Sequence, residues 1–165
     1  MPIDLTKSEI EVLVDRINQV NLTNIDYRSI TVGNPTMVNG ELTSIVITGK
    51  PNSGITGSAT LRYNRKNIAT LIGSRNKVFT QDSAITTRDL VNKINTEYGI
   101  KLDADDIVDV ALPVFSNGTP GETLNFTLTI APTSLLYIGA VTLTLRRRDI
   151  VMSDLITNTT LGDMS

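Results

Sequence analysis

A short acidic run is the first feature of the sequence that could do chemistry. Asp103, Asp105 and Asp106, with Asp109 close behind, could offer carboxylate oxygens to a calcium ion. The run lacks the glycine and the distal glutamate of an EF-hand loop. A solvated turn that leads into a strand at Ile107 explains the same residues, and we favour it because a short acidic run is weak evidence of a metal site.

Two basic clusters could bind phosphate or an acidic protein surface. They are made of Arg146, Arg147 and Arg148 in one case, and of Arg62, Asn64, Arg65 and Lys66 in the other. Both lie at the end of a predicted strand, where charged side chains discourage wrong pairing at a sheet edge. Apart from Tyr63, no aromatic residue interleaves with them, which argues against a nucleic-acid partner. We favour edge protection, with a salt bridge to another protein as the leading alternative.

The segment 49–58 superficially resembles a phosphate-binding loop. Its Lys50 lies on the wrong side of the glycines, and a strand follows instead of a helix. We therefore predict a hairpin turn. No serine or threonine lies in a nucleophile motif, and no recognisable pair of carboxylates flanks a cleft.

The composition narrows the chemistry further. The chain has no histidine, cysteine or tryptophan. The commonest general base, thiol nucleophiles, structural zinc and iron–sulfur clusters are thereby excluded. The net charge of -2 does not indicate nucleic acid, no apolar run approaches membrane-spanning length, and the N-terminus does not read as a signal peptide. We predict a protein that is not an enzyme, with no catalytic, cofactor-binding or metal-binding residues, no cofactor and no membrane partner.

An internal repeat is the strongest signal in the chain. Residues 13–18 match residues 90–95, with four of the six identical and an offset of 77 positions. Residues 57–68 match residues 139–150, where a glycine, threonine, leucine, arginine and the final isoleucine coincide at an offset of 82. Two matches in the same order indicate a duplication whose intervening loops differ by five residues.

Each repeat is predicted to begin with an amphipathic helix. In the first, Thr6 and Glu9 are expected to form a capping box. Its apolar face follows at helical spacing: Ile10, Leu13, Val14 and Ile17. In the second, Thr86 or Thr87 caps the helix, and Gly99 suits the left-handed position that ends it. The second apolar face comprises Leu90, Val91, Ile94 and Tyr98.

Three strands are predicted after each helix. They cover residues 27–32, 41–49 and 57–64, and then residues 107–115, 123–131 and 140–147. Apolar and polar residues alternate in the last two, which is typical of a sheet with one buried face. Turn signals separate the strands at residues 39–40, 51–54, 117–118 and 120–121.

The predicted fold class is α+β, a tandem duplicated unit with one helix and about three antiparallel strands in each copy. The first unit covers residues 1–72, a linker residues 73–85, the second unit residues 86–150, and a C-terminal tail or arm residues 151–165. Units this small have a marginal core, so we expect them to share a core or to bury their faces on neighbouring subunits of a homo-oligomer.

The tail carries apolar residues that would be oddly exposed on a free segment: Val151, Met152, Leu155, Ile156 and Leu161. We expect the tail either to dock as an arm on an adjacent subunit or to fold back on its own domain. Both alternatives remain open at this stage.

A helix ending in an Ile-Asn pair is followed by an Asp-Ile or Asp-Val strand start, and a strand of the type Gly-Ser/Ala-x-Thr-Leu-x-Tyr-Asn-Arg closes the unit. The closest stretch is Ser-Gly-Ile-Thr-Gly-Ser-Ala-Thr-Leu-Arg-Tyr-Asn-Arg at residues 53–65. This pattern resembles small repeat domains in virion structural proteins of tailed bacteriophages. The second unit departs from it, because Leu-Arg-Arg at 145–147 replaces Tyr-Asn-Arg at 63–65. The resemblance implies a symmetric, multicopy role on the head, neck or tail, and it carries no catalytic residues.

The predicted function is that of a non-catalytic virion structural protein, either a capsid-decorating protein or a neck or tail component. Its partners would be further copies of itself and other virion proteins, and it would assemble in the bacterial host cytoplasm and reside in the virion. The alternative is a carbohydrate- or receptor-binding β module of a phage tail, which would need aromatic platforms. A hydrolase based on Asp or Glu is the third hypothesis, and no motif supports it.

Overall fold

The computed structural model describes residues 2–116 and 121–148, together with residues 152, 156, 159, 160 and 162. The protein has the α+β fold that the sequence predicts. The helices in this part are α1 (Glu9–Asn21), α2 (Ile68–Ile72) and α3 (Val91–Tyr98). The strands are β1 (Ile30–Val32), β2 (Thr36–Asn39), β3 (Leu42–Gly49), β4 (Ser58–Asn64), β5 (Lys66–Asn67), β6 (Val78–Thr80), β7 (Thr123–Thr129), β8 (Tyr137–Ile138) and β9 (Ala140–Arg146).

Some predictions fall outside the described residues. They are the turn at residues 117–118, the proline of the turn at 120–121, the end of the second repeat match at residues 149–150, and most of the tail.

The N-cap of helix α1 lies two residues later in the chain than the sequence predicts. Ser8 is the N-cap, and its backbone N–H donates to Glu11 Oε2 (3.1 Å). The predicted box of Thr6 and Glu9 is wrong, because the Thr6 hydroxyl donates to Asp4 instead (2.6 Å) and Glu9 is buried. The apolar face is confirmed, since its members are buried or half-buried: Ile10, Leu13, Val14 and Ile17.

Helix α3 follows a 3-10 turn (Thr87–Leu90) and matches its prediction closely. Thr86 caps the 3-10 turn that leads into the helix, and its N–H donates to Asp89 Oδ2 (2.9 Å). Gly99 ends the helix in the left-handed region at φ 63°, and its N–H donates to the carbonyl of Asn95.

Helix α1 ends on a residue that is unsuited to its backbone conformation. Leu22 has φ 55° and is 93 % exposed. A left-handed conformation brings the Cβ of any non-glycine residue close to the following carbonyl. We predict that Leu22→Gly raises the free energy of unfolding by about 1 kcal/mol in denaturant titrations. Gly99→Ala, at the end of α3, should lower it by a similar amount, and equal effects of both changes would contradict this reasoning.

Two antiparallel hairpins form the centres of the two larger sheets. In the first, β3 pairs with β4 from Leu42 opposite Asn64 to Thr48 opposite Ser58. The other side of β3 is shared by β1 and β2. In the second sheet, β9 lies between β7, which is antiparallel to it, and β6, which is parallel. A third, two-stranded sheet joins β5 to β8 in parallel.

The shortest elements are missing from the sequence prediction: α2, β2, β5, β6 and β8. Each has five residues or fewer, too short for a periodic pattern. The strand predicted over residues 107–115 is wrong, since this segment follows a 3-10 turn (Ala104–Asp106) and makes only isolated bridges at Ile107 and Ala111. Residues 27–29 likewise form a 3-10 turn, so that β1 begins at Ile30.

Buried apolar residues form two clusters. The smaller lies between α1 and the first sheet, and its fully buried members are Leu13, Val14, Ile30, Ile45 and Ile47. The larger lies between α3 and the second sheet, and it also takes in Ile68 and Ile72 of α2 and Phe79 of β6. Residues 73–85, which the sequence leads us to expect as a linker, therefore contain a strand of the second sheet.

Candidate functional site

Arg65 is buried just past the end of β4, although the sequence places it in a surface basic cluster. Its side chain is enclosed with the residue only 4 % exposed. Nε donates to Thr43 Oγ1 (2.9 Å), and Nη1 donates to the carbonyls of Ser134 (2.9 Å) and Pro132 (3.1 Å). The edge-protection interpretation is therefore wrong for Arg65, because its charge serves internal hydrogen bonds.

Glu9, the first residue of α1, binds the same loop from another side. Its Oε1 accepts from the Ser134 hydroxyl (2.5 Å) and the Leu136 N–H (3.2 Å), and its Oε2 accepts from the Leu135 N–H (2.9 Å). The Tyr63 hydroxyl adds a bond to the carbonyl of Leu135 (2.7 Å). We call these contacts of Glu9, Tyr63 and Arg65 with the loop 131–136 the polar junction.

The polar junction contains carboxyl groups with unusual proton affinity. Burial raises the pKa of Glu9 to about 7, the hydrogen bond from Ser134 opposes that rise, and the nearby Asp106 carboxyl adds to it. Burial also raises the pKa of Asp106, against the hydrogen bond from the Asp103 N–H. Since two neighbouring carboxyls in a low-dielectric interior resist ionising together, the pair retains a proton close to neutral pH.

The polar junction is a structural tie between the halves of the chain. Glu9, Arg65 and Ser134 are 8 %, 4 % and 0 % exposed, which leaves a substrate almost nothing to contact. Glu9 and Arg65 bond across to main-chain groups and to the Ser134 hydroxyl of the other half, and Arg65 also bonds the Thr43 hydroxyl in its own half. The adjacent β5–β8 pair, begun by the Lys66 N–H on the Leu136 carbonyl (2.6 Å), continues the same attachment.

This tie is not visible in the sequence. The residue pattern predicts a helix cap for Glu9 and a surface position for Arg65, and Ser134 lies in a loop with no motif. The coincidence of Arg65 with Arg147 in the internal match is the signal that could have drawn attention to it.

The acidic run does not gather its carboxylates around one point. Asp106 turns inward to cap its own turn, whereas Asp105 lies 3.8 Å from Arg88. Asp109 accepts from the Arg88 N–H (3.2 Å). Across residues 2–116 and 121–148 and the described tail positions, no three His, Cys, Asp or Glu side chains are grouped so as to hold a metal.

We predict that folding needs no divalent cation. Adding excess chelator should leave the melting temperature of the protein unchanged in a circular dichroism scan, because each acid in the run already has protein partners. A fall of several degrees, restored by calcium, would contradict this prediction.

The remaining sequence candidates lie at the surface. Arg62, Lys66, Arg146 and Arg148 are exposed, so edge protection or a salt bridge to another protein stays a prediction for them. The segment 49–58 is a hairpin connection, as predicted, because the Gly49 N–H donates to the Gly57 carbonyl (3.0 Å) between β3 and β4.

One side of β4 forms an open edge. In the part of the chain that the structure describes, β4 pairs with β3 and with no other strand. The Gly57 carbonyl and the Arg65 N–H bond to the β3 side. Because antiparallel residues alternate, the main-chain groups of Arg62 and Asn64 face the other way, toward the open edge.

A groove of about 450 Å³ runs beside the open edge. Helix α1 provides one wall and β4 the other, with apolar side chains on both: Leu13, Ile17, Val20, Leu61 and Tyr63. Val20 is 63 % exposed, and Ile3, at the mouth of the groove, is 44 % exposed. Unpaired main-chain groups beside an apolar groove are the two elements that strand addition by another segment requires.

The fold and the site together define an α+β protein in which an open strand edge lies beside an apolar groove. The chain belongs to DUF7941, a family of unknown function, whose model matches residues 3–165. No curated protein and no solved structure shows significant similarity to it. Of the helices in the described ranges, none has the length and apolar character needed to cross a bilayer.

Proposed function

We propose that this chain is a non-catalytic assembly protein of a tailed-bacteriophage virion, present in many copies as a decoration, neck or tail component. The observation that carries the proposal is the open edge of β4 with its apolar groove. A strand edge of this kind is a liability on an isolated protein and useful on one that joins a larger assembly. The resemblance of residues 53–65 to repeat domains of phage virion proteins supports a virion as that larger assembly.

We further propose that the chain arose by tandem duplication of one helix-plus-hairpin unit. The helix ends support this. In α1, Asn18 bonds residue Ile25 through both side-chain atoms, Nδ2 to the carbonyl (2.8 Å) and Oδ1 from the N–H (2.7 Å). In α3, Asn95 bonds Leu102 in the same way (2.8 Å each). Both pairs are separated by seven residues, and both are related by the offset of 77 seen in the sequence.

The hairpins give independent support. The register of β7 with β9 reproduces that of β3 with β4 over seven pairs, with offsets of 81 for the first strand and 82 for the second. Each hairpin closes on the same bond: the Arg65 N–H donates to the Glu41 carbonyl (3.1 Å), and the Arg147 N–H to the Glu122 carbonyl (2.8 Å). Such agreement in register is more than a shared composition would produce.

The alternative, a carbohydrate- or receptor-binding module, receives less support. Sugars stack on exposed aromatic rings. All seven aromatic side chains of the chain are buried or half-buried: Tyr27, Tyr63, Phe79, Tyr98, Phe115, Phe126 and Tyr137.

Purified particles of the phage that encodes the chain test the proposal. Mass spectrometry should find the chain at many copies per particle, and gold-labelled antibody should mark one symmetric location in negative stain. Absence of the chain from intact, purified particles would overturn the virion role. Binding to a glycan array, together with that absence, would favour the alternative.

A further inference from the structure

In the second half of the chain, a strand already fills the place that corresponds to the open edge. β6 runs parallel to β9 there, with Val78 opposite Thr144. The Thr144 N–H donates to the Lys77 carbonyl (2.8 Å), and the Gln81 N–H donates to the Arg146 carbonyl (2.9 Å). The outward main-chain groups of β9 are thus satisfied by a segment that precedes α3 in the chain.

The side chains of β6 complete the core of that half. Phe79 is 4 % exposed and packs edge-to-face on Tyr98 of α3, with ring centroids 5.9 Å apart. Lys93 of α3 donates to the Thr80 carbonyl (2.7 Å) and pairs with Asp82 just after the strand. A parallel strand with one large apolar side chain therefore fills the space between α3 and β9.

The first half has the same walls without that strand. Leu143 and Leu145 of β9, which β6 covers, are fully buried. Their counterparts at the offset of 82, Leu61 and Tyr63 of β4, are only half-buried and line the groove. The groove is the space that β6 occupies in the other half.

We propose that residues 158–163 of a second copy of this chain add to the open edge of β4 as a parallel strand, with Leu161 in the groove. The proposal rests on the multicopy assembly put forward above and specifies its contact. By the register of β6 on β9, Thr160 would lie opposite Arg62, Leu161 opposite Tyr63, and Gly162 opposite Asn64.

Chain order and sequence point to this segment. β6 begins 14 positions after β4 ends at Asn64, and the same separation after Arg146, the end of β9, leads to Thr160. At the offset of 82, Asn76 and Phe79 correspond to Asn158 and Leu161. The tail therefore repeats the polar start and the apolar anchor of β6 at the expected distance.

The described residues of the tail fit the same order of elements. Between β4 and β6 the chain makes the short helix α2, closed by the Gly73 N–H on the Ala69 carbonyl (2.9 Å). Between β9 and residue 158, the Ile156 N–H donates to the Met152 carbonyl (3.0 Å) with the same four-residue spacing. A hydrogen bond of this spacing thus precedes the proposed strand, as one precedes β6.

Charge is complementary as well. Arg16 of α1 lines the groove at the position of Lys93 in the repeat. Asp163 follows Leu161 in the tail, much as Asp82 follows Phe79. An added tail strand would bring Asp163 near Arg16 and repeat the ion pair of Lys93 with Asp82.

The order of the strands in the chain indicates that the donor is a second copy. β6 comes directly after the first half in the sequence, yet it pairs with β9 and completes the second half. The tail follows β9 in the sequence at the distance at which β6 follows β4, and the open edge belongs to a first half. Such head-to-tail contacts are heterologous, so repeated copies close into a ring or grow as a filament.

A mixing experiment on the full chain tests the contact. Arg62→Pro removes a main-chain N–H on the open edge and leaves the β3 side intact, and Leu161→Asp puts a charge where an apolar anchor is needed. The measurement is light scattering after size-exclusion chromatography, in which the wild-type protein should self-associate. Each variant alone should associate about tenfold or more weakly, so that it is monomeric at the same concentration. An equimolar mixture of the two variants should form a heterodimer, since it has one intact edge and one intact tail.

The controls are Arg62→Ala, which keeps the N–H, and Leu161→Ile, which keeps the apolar side chain. Both should associate like the wild-type protein. Circular dichroism melting of each variant in dilute solution checks folding. If Arg62→Pro does not fold, the self-association of Leu161→Asp still tests the proposed contact, because residue 161 lies outside the hairpins.

The absence of native cysteine permits a test of register. Oxidation should cross-link Arg62→Cys in one copy to Thr160→Cys in another, and Ser58→Cys on the same edge should not react with Thr160→Cys. A disulfide within one copy, or none at this pair, would overturn the proposal. If Leu161→Asp self-associates like the wild-type protein, the tail contact is wrong, although multicopy assembly still stands. The analysis of purified particles described above tests the virion role separately.

Discussion

Replacing Arg65 with alanine is expected to lower the free energy of unfolding by about 3 kcal/mol or more. The guanidinium makes three hydrogen bonds in a nearly water-free site, to the Thr43 hydroxyl and to two carbonyls of the loop 131–136. Its removal leaves those acceptors without a donor and leaves a cavity where the side chain was. Urea denaturation followed by circular dichroism measures the change.

Arg62→Ala is the matched control for that experiment. Arg62 lies on β4, three residues before Arg65, and is exposed, so its loss should change the free energy of unfolding by no more than about 0.5 kcal/mol. Arg65→Lys should fall between the two, because an ammonium group cannot span all three acceptors with the fixed geometry of a guanidinium. Equal effects of Arg65→Ala and Arg62→Ala would show that the polar junction contributes nothing to stability.

The free-energy difference between Glu9→Gln and the wild-type protein is expected to shift by about 3 kcal/mol between pH 5 and pH 8, in favour of the variant at the higher pH. Burial raises the pKa of Glu9 from 4.5 to about 7 in the folded protein. A carboxyl with a raised folded-state pKa binds its proton more tightly when folded. Its contribution to stability is therefore complete below pH 4.5 and is lost as the pH rises through 7. Glutamine is neutral throughout this range, so the stability of the variant does not lose this contribution as the pH rises.

Denaturant titrations of both proteins at several pH values measure this shift. Glu11→Gln is the control, since Glu11 lies on the same helix but bonds to Ser8, which lowers the pKa of its carboxyl. Its titration falls below the range tested, so that variant should parallel the wild-type protein from pH 5 to pH 8. A difference for Glu9→Gln that does not change with pH would mean that the buried carboxyl is ionised in the fold at all these values.

The elements that the sequence predicts well are those with a long regular pattern. The seven-residue strands β7 and β9 and the apolar faces of α1 and α3 are predicted from periods of 2 and 3.6 residues. Gly99 is likewise visible in the sequence as the end of a helix. These features depend on residues close together in the chain, which is why one sequence suffices to find them.

The features that escaped prediction depend on distant partners. β6 has three residues and exists because β9 lies beside it, and no local pattern marks such a strand. Glu9 and Arg65 read as surface residues, since burial of a charge becomes tolerable only when a loop more than sixty positions away supplies its partners. The open edge could not be predicted either, because it is defined by a pairing that the first half lacks and the second half has.

Helix α2 and strand β6 follow the first half in the chain but pack in the core of the second half, and this arrangement affects how the chain folds. Val78 pairs with Thr144, so the last layer of that core joins residues that are far apart in sequence. As the chain leaves the ribosome, the hairpin of β3 and β4 can form from local contacts, whereas Ile68, Ile72 and Phe79 must wait for β9 to be synthesised. Completion of the second half is therefore the slow, late step of folding, and the apolar residues of α2 and β6 are the ones exposed to premature association until it occurs.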